Sequence, residues 1–230
     1  MTDATQPASL AALLVRSEEF EAAIQACFPE GGLDLAQAPQ QHELVATACL
    51  LSIEHALVLR SAFAAAAPNS GAAVLRLQYE ALLKATWLLF AANPSQVEKL
   101  ARALDLDAEL AAKNLPGYID MLAAVVKNAP PELSAPLAEF NHYTRHALNS
   151  FVHSGIHALH RGRNGFPAEM AATIVCFSNA LMHFAYRVLA SLSGPDQRMK
   201  RVTRLYADFT DCLPIASGRE HGDRDTHSRG

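Results

Sequence analysis

Apolar residues recur every three or four positions along almost the whole chain, and no stretch alternates apolar and polar with period two. The pattern predicts an all-α fold: a helical bundle of about five main helices with short accessory helices. The first helix is expected over residues 9–27, with Ser9 as N-cap and Leu10, Leu13, Leu14, Phe20 and Ile24 on its apolar side. Pro29, Gly31 and Gly32 end it. Helices over 41–66 and 72–91 are joined by Pro68-Asn69-Ser70-Gly71, read as a turn. So short a link predicts an antiparallel pair.

The middle of the chain is segmented and reads as a lateral elaboration. Ser95 and Glu98 match the capping-box pattern ahead of a helix over 96–104. Brief helices follow over 107–114 and 118–127, and Pro130-Pro131 breaks the chain. A histidine-rich helix is expected over 134–159, a loop over 161–167, a long apolar helix over 168–192, and a last helix over 196–212. One domain covers residues 1–216. Residues 217–230 contain no large apolar side chain and are expected to form a disordered polar tail.

Composition narrows the picture. Hydrophobic residues make up 50% of the chain and aromatics 7%, so the core is mainly aliphatic and rich in alanine. The net charge of −4 excludes a broadly basic nucleic-acid binder; such contact would need a local patch. Cys27, Cys49, Cys176 and Cys212 are far apart, so there is no C-x-x-C metal or redox signature, and reduced, mostly buried thiols are expected. The N-terminus lacks a signal peptide pattern. The longest apolar runs are interrupted by Glu54, His55 and Arg60, or by Lys84. The expectation is a soluble, cytoplasmic protein with no membrane partner.

The candidate chemistry is concentrated late in the chain. Five of the ten histidines are His142, His146, His153, His157 and His160. On one continuous helix they would share a broad face with Asn149, flanked by Tyr143 and Arg145. Histidine titrates near neutrality and can donate, accept or ligate. Three readings stay open. In the first, the pairs His142/His146 and His153/His157 hold a metal, which would need further ligands from another helix, such as Glu54, His55, Glu80 or His183. In the second, Asn149, His153 and a nearby arginine perform acid/base chemistry on RNA. In the third, the histidines are structural or line a groove.

Two further clusters stand out. Arg76, Glu80 and Lys84 form a charged stripe on an otherwise apolar helix, which can pair internally or face a polar cleft. Arg198, Lys200, Arg201 and Arg204 form a basic cluster on the last helix. Gly-rich phosphate loops, nucleophile elbows, dinucleotide fingerprints and a helix-turn-helix reading head are not found.

LRLQYEALLKATWLLFAANP (75–94) and HALNSFVHSGIHAL (146–159) resemble, in order and spacing, helices of uncharacterised bacterial all-α families. Those families are similar to the HEPN superfamily of four- and five-helix bundles, which includes RNA-cleaving toxins and abortive-infection proteins. The superfamily's motif is an Arg, four to six intervening residues, then a His, with a polar residue usually right after the Arg. Here Arg145 is followed by His146, and seven residues separate Arg145 from His153. The resemblance implies a toxin- or defence-type, RNA-acting homodimer. His153 would be the general acid or base, Asn149 would stand one turn away, and Arg145 would steady phosphate charge. Arg76, Glu80, Lys84 and His157 are the candidate binding residues of the same groove. No cofactor and no metal ligand is assigned. The alternatives are a non-enzymatic bundle that binds a small ligand or a partner protein, and a metal-binding bundle.

Overall fold

A computed structural model of the chain describes residues 9–192 and 196–214; the expected tail lies outside them. Among the described residues there are ten α-helices, one short 3-10 turn and no strand. The helices are α1 (Leu10–Gln25), α2 (Gln40–Ala64), α3 (Pro68–Phe90), α4 (Pro94–Ala101), α5 (Leu106–Ala112), α6 (Tyr118–Asn128), α7 (Pro131–Val152), α8 (Ile156–Asn164), α9 (Ala168–Leu192) and α10 (Asp196–Asp208).

Helix α9 is the axis. It packs on α1, α2, α3 and α10, and its apolar side chains are covered nearly all round. The α2–α3 hairpin lies along one side of it, and α7 and α6 pack on α3. Met121 and Val125 of α6 are buried, so this part of the segmented middle belongs to the packed core. One hydrophobic cluster joins these elements, with Phe20, Leu59, Tyr79, Trp87, Leu137 and Met182 at its centre.

Buried polar side chains set the register of this aliphatic core. Gln78 is fully buried; its Nε2 donates to Ser178 O (2.8 Å), while Ser178 Oγ donates to its Oε1 (2.7 Å). Ser52 Oγ donates to Gln78 O (3.0 Å), which ties α2 into the same point. Asn179 Nδ2 donates to Ser17 Oγ (2.8 Å) and Cys212 O (2.9 Å), linking α9 to α1 and to the chain after α10. Arg60 forms an ion pair with Glu21 inside the bundle, beside Tyr186.

Several boundaries differ from the expected ones for local reasons. Ser9 caps α1 as expected, accepting from Ala12 N. Pro68, read as part of a turn, is the first residue of α3, where its fixed φ suits the helix and its missing N–H costs nothing. The link is only three residues, with Ala66 at φ 56°. The capping box is formed by Asn93 and Gln96, not Ser95 and Glu98. Gln96 N donates to Asn93 Oδ1 (3.0 Å) and Asn93 N donates to Gln96 Oε1 (2.9 Å), while Pro94 occupies the first helical turn. Asp105 caps α5 through Ala108 N. Residues 161–164, expected as loop, continue α8, and Gly165 at φ 88° ends it.

By length and composition, α2 and α9 are apolar enough to cross a membrane. Burial inside the bundle accounts for this in α9. In α2 half of the apolar window is buried and the rest faces outward.

Gly71 of α3 lies against Phe63 of α2. A Cβ there would stand 2.7 Å from the ring of Phe63, itself packed against Phe166. Alanine is otherwise favoured in a helix by about 1 kcal/mol, so the substitution isolates the steric term. Gly71→Ala is expected to destabilise by a net of about 1–2 kcal/mol. Chemical denaturation followed by Trp87 fluorescence checks this, and a cycle with Phe63→Leu is expected to be non-additive.

Candidate functional site

The histidine-rich segment is not one helix. His153 is the C-cap of α7. Gly155 N donates back to Ser150 O (2.7 Å) and Ser154 N reaches toward Phe151 O (3.5 Å), with Ser154 at φ 52°. This is the Schellman arrangement, with serine in the left-handed position where glycine is usual. Gly155 follows, and a Cβ there would stand 2.7 Å from Ser150 Oγ and displace that hydroxyl. Ser150 Oγ then accepts from His157 N (2.9 Å) and starts α8.

The break separates His153 from His157, so this pair does not share a helical face as one continuous helix would make it. His142, His146, His153, His157 and His160 are all exposed, as is Asn149. Arg145 is half-buried, and its Nη2 lies 3.2 Å from His146 Nε2. Arg145, Asn149 and His153 therefore form a ridge facing solvent. Among the described residues, no group of three or more His, Cys, Asp or Glu is placed to hold a metal ion.

The α3 stripe divides. Arg76 is 3% exposed and Glu80 partly so; Arg76 Nε donates to Glu80 Oε1 (2.7 Å), the pairing expected four residues apart. The guanidinium lies over the Tyr118 ring at 4.0 Å and so fastens α3 to α6. Its Nη2 has no hydrogen-bond partner. Lys84 is exposed, and the ion pairs among the described residues do not include Glu80–Lys84. On α10, Arg198 lies 5.6 Å from the Phe28 ring and Arg201 reaches the Ala26 carbonyl (3.5 Å), so both hold the end of α1.

A partly open concave feature lies elsewhere. A cavity of about 450 Å³ opens between α7, α9 and α10. Phe140, Tyr143, Phe177, Phe184 and Tyr206 supply aromatic walls, Leu137 and Leu181 the aliphatic ones, and Glu139 and Thr144 the polar groups. The Thr144 hydroxyl donates to Phe140 O (2.6 Å) and keeps its lone pairs for another donor. Periodicity marks Phe177 and Phe184 only as apolar positions, and nothing in it distinguishes a cavity wall from ordinary core.

Beside α10, His183 is buried between Phe20 and Tyr206, and its Nε2–H donates to Val202 O (2.9 Å). Burial lowers its pKa to about 4, opposed by the Val202 hydrogen bond and assisted by nearby Arg187. The ring is thus neutral and structural. The four cysteines are free, and three are buried. Burial raises Cys176 to about 11 and Cys212 to about 12, so neither is a thiolate near neutrality.

These observations define an all-helical bundle with an aromatic cavity beside α7 and a polar, histidine-rich ridge along the exposed part of the same helix. The chain belongs to DUF6988, a family of unknown function, whose sequence model matches residues 49–215. No curated protein and no solved structure gives a significant match.

Two outcomes follow from the geometry. Ser154→Gly relieves the left-handed serine and is expected to raise Tm by about 2–4 °C. For His183, the folded pKa lies below the unfolded 6.5. Below pH 6.5 the unfolded chain therefore takes up a proton that the folded chain refuses, and stability falls as pH drops from 6.5 toward 4. The loss attributable to this group is about 2 kcal/mol at pH 5. Denaturation at pH 7 and pH 5 is expected to show a smaller difference in His183→Gln than in wild type.

Proposed function

We propose that the protein is a non-enzymatic binding bundle whose cavity between α7, α9 and α10 takes a small aromatic molecule carrying an amine or another hydrogen-bond donor. The observation that carries this reading is the cavity itself. Its volume of about 450 Å³ falls within the usual range for small-molecule sites, roughly 300–1,000 Å³. Its walls are largely aromatic, and its polar groups are few and acceptor-rich. Glu139 supplies negative charge at the rim, and the Tyr143 and Tyr206 hydroxyls and Thr144 can each accept. Stacking between rings would provide most of the affinity and the carboxylate the orientation.

The test uses 2-phenylethylamine and phenylpropionate as a matched pair of probes, read by NMR on the full chain. The amine is expected to shift resonances of Phe177, Phe184 and Tyr206 and to bind at least tenfold more tightly than the carboxylate, about 1.4 kcal/mol. Ala180→Trp fills the cavity and is expected to abolish binding while leaving the far-ultraviolet circular dichroism unchanged. Equal binding to wild type and Ala180→Trp, or no binding of either probe, rejects the proposal.

A second reading is favoured by the 3.2 Å approach of Arg145 to His146, with exposed Asn149 and His153 further along the same segment. In it the solvent-facing ridge is the working surface of a HEPN-like, RNA-acting protein of toxin or defence type. It expects RNA cleavage by the purified chain, or growth arrest on expression, lost in His153→Ala. Intact RNA and unimpaired growth with the wild type reject it.

A further inference from the structure

The outward face of α2 is apolar where a lone surface helix would be polar. Leu50, Leu51, Leu57 and Val58 are each between 44% and 58% exposed, yet they occupy one stripe only about a third of the helix circumference wide. Thr47, Glu54 and Ser61 complete the stripe and are also exposed. Ser52 Oγ bonds to Gln78 O, so Leu77 of α3, 43% exposed, lies level with the middle of the stripe. Scattered single apolar residues need no explanation, whereas a contiguous row of them does.

The order of residues along the stripe is symmetric about Glu54. Four residues either side stand Leu50 and Val58; three residues either side, Leu51 and Leu57; seven residues either side, Thr47 and Ser61. A stripe that reads alike in both directions, with matched side-chain types, fits the requirement of a two-fold interface, in which one surface must be complementary to itself. A partner of different sequence would place no such demand on it.

We infer that α2 is a homodimer interface, with the α2 helices of two copies packed antiparallel about a two-fold axis at Glu54. On that axis Leu50 meets Leu57 of the second copy, and Leu51 meets Val58 of the second copy. Thr47 and Ser61 close the two ends, and Leu77 covers the flank. The unfavourable element is the approach of the two Glu54 carboxylates at the axis, a like-charge contact that weakens association. This interface leaves the α7–α9–α10 cavity open and does not depend on its having a ligand.

The test is a charge exchange on the full chain, read by sedimentation equilibrium. Wild type is expected to give twice the chain mass of 24.8 kDa. Leu50→Glu alone and Leu57→Lys alone each place the new charge against leucine at both ends of the axis. Each is expected to weaken association by about 30-fold or more. Mixing the two variants sets the introduced carboxylate of one chain against the introduced ammonium of the other and leaves one leucine pair intact. The mixture is expected to recover dimers that contain one of each. Glu54→Gln is expected to tighten the wild-type dimer several-fold. A monomeric wild type overturns the inference, including one that instead sediments with neutral phosphatidylcholine vesicles. So does a dimer unaffected by both single variants, or a mixture no tighter than either variant alone. Circular dichroism of each variant separates loss of association from loss of fold, and the recovery arm requires both chains to be folded.

Discussion

The amide of Gln78 is the constraint on which the arrangement rests. An aliphatic core of leucine and alanine is close to indifferent to a one-turn slip of one helix along another, because each turn presents similar volume. A buried amide that both donates to Ser178 O and accepts from Ser178 Oγ is satisfied at one register only. Sliding α3 against α9 would leave at least two buried polar groups unpaired, at about 1–3 kcal/mol each. The Ser52 hydroxyl on Gln78 O extends the same condition to α2. Once α2, α3 and α9 are fixed together, Asn179 on the next residue of α9 holds Ser17 and Cys212, which positions α1 and the chain after α10. The cavity walls on α7, α9 and α10 inherit their spacing from that frame.

The elements most legible in the sequence are those whose signal is local. The long apolar period of α9 marks its limits at residues 168 and 192, and Ser9 announces the start of α1. The Arg76–Glu80 pair is equally readable, since both partners sit on one helix a turn apart. The histidine helix misleads because its stop signal is weak in sequence. Periodicity passes straight through His153, Ser154 and Gly155, and the left-handed position is filled by serine where glycine would have drawn attention. The turn before α3 misleads in the opposite sense: Pro68 and Gly71 look like breakers, but one starts the helix and the other lets α2 approach.

The buried polar ties between helices follow the same division. Gln78 and Ser178 are 100 positions apart, Ser17 and Asn179 are 162, and Glu21 and Arg60 are 39. No spacing rule connects them, and each reads alone as an ordinary polar residue on a helix. The cavity is harder still to foresee. It is an incomplete closure between three helices, and the aromatic residues that line it have the same period as those that fill the core.

The positions of the charged and aromatic groups on α7 then separate two kinds of chemistry. Arg145, Asn149 and the histidines face solvent, where dielectric screening weakens each electrostatic contact and nothing excludes water from a reacting group. Arg76 is buried, but its guanidinium is already engaged by the Glu80 carboxylate and the Tyr118 ring, so it acts as a tie between α3 and α6 with little charge left over for an anion. The cavity has the opposite character: largely apolar walls, and acceptor groups at known places. Low dielectric and convergent polar groups are what give a few contacts large energetic weight. On α7 that combination occurs on the face toward α9 and α10, where Tyr143 at the cavity's edge touches the ring of His142.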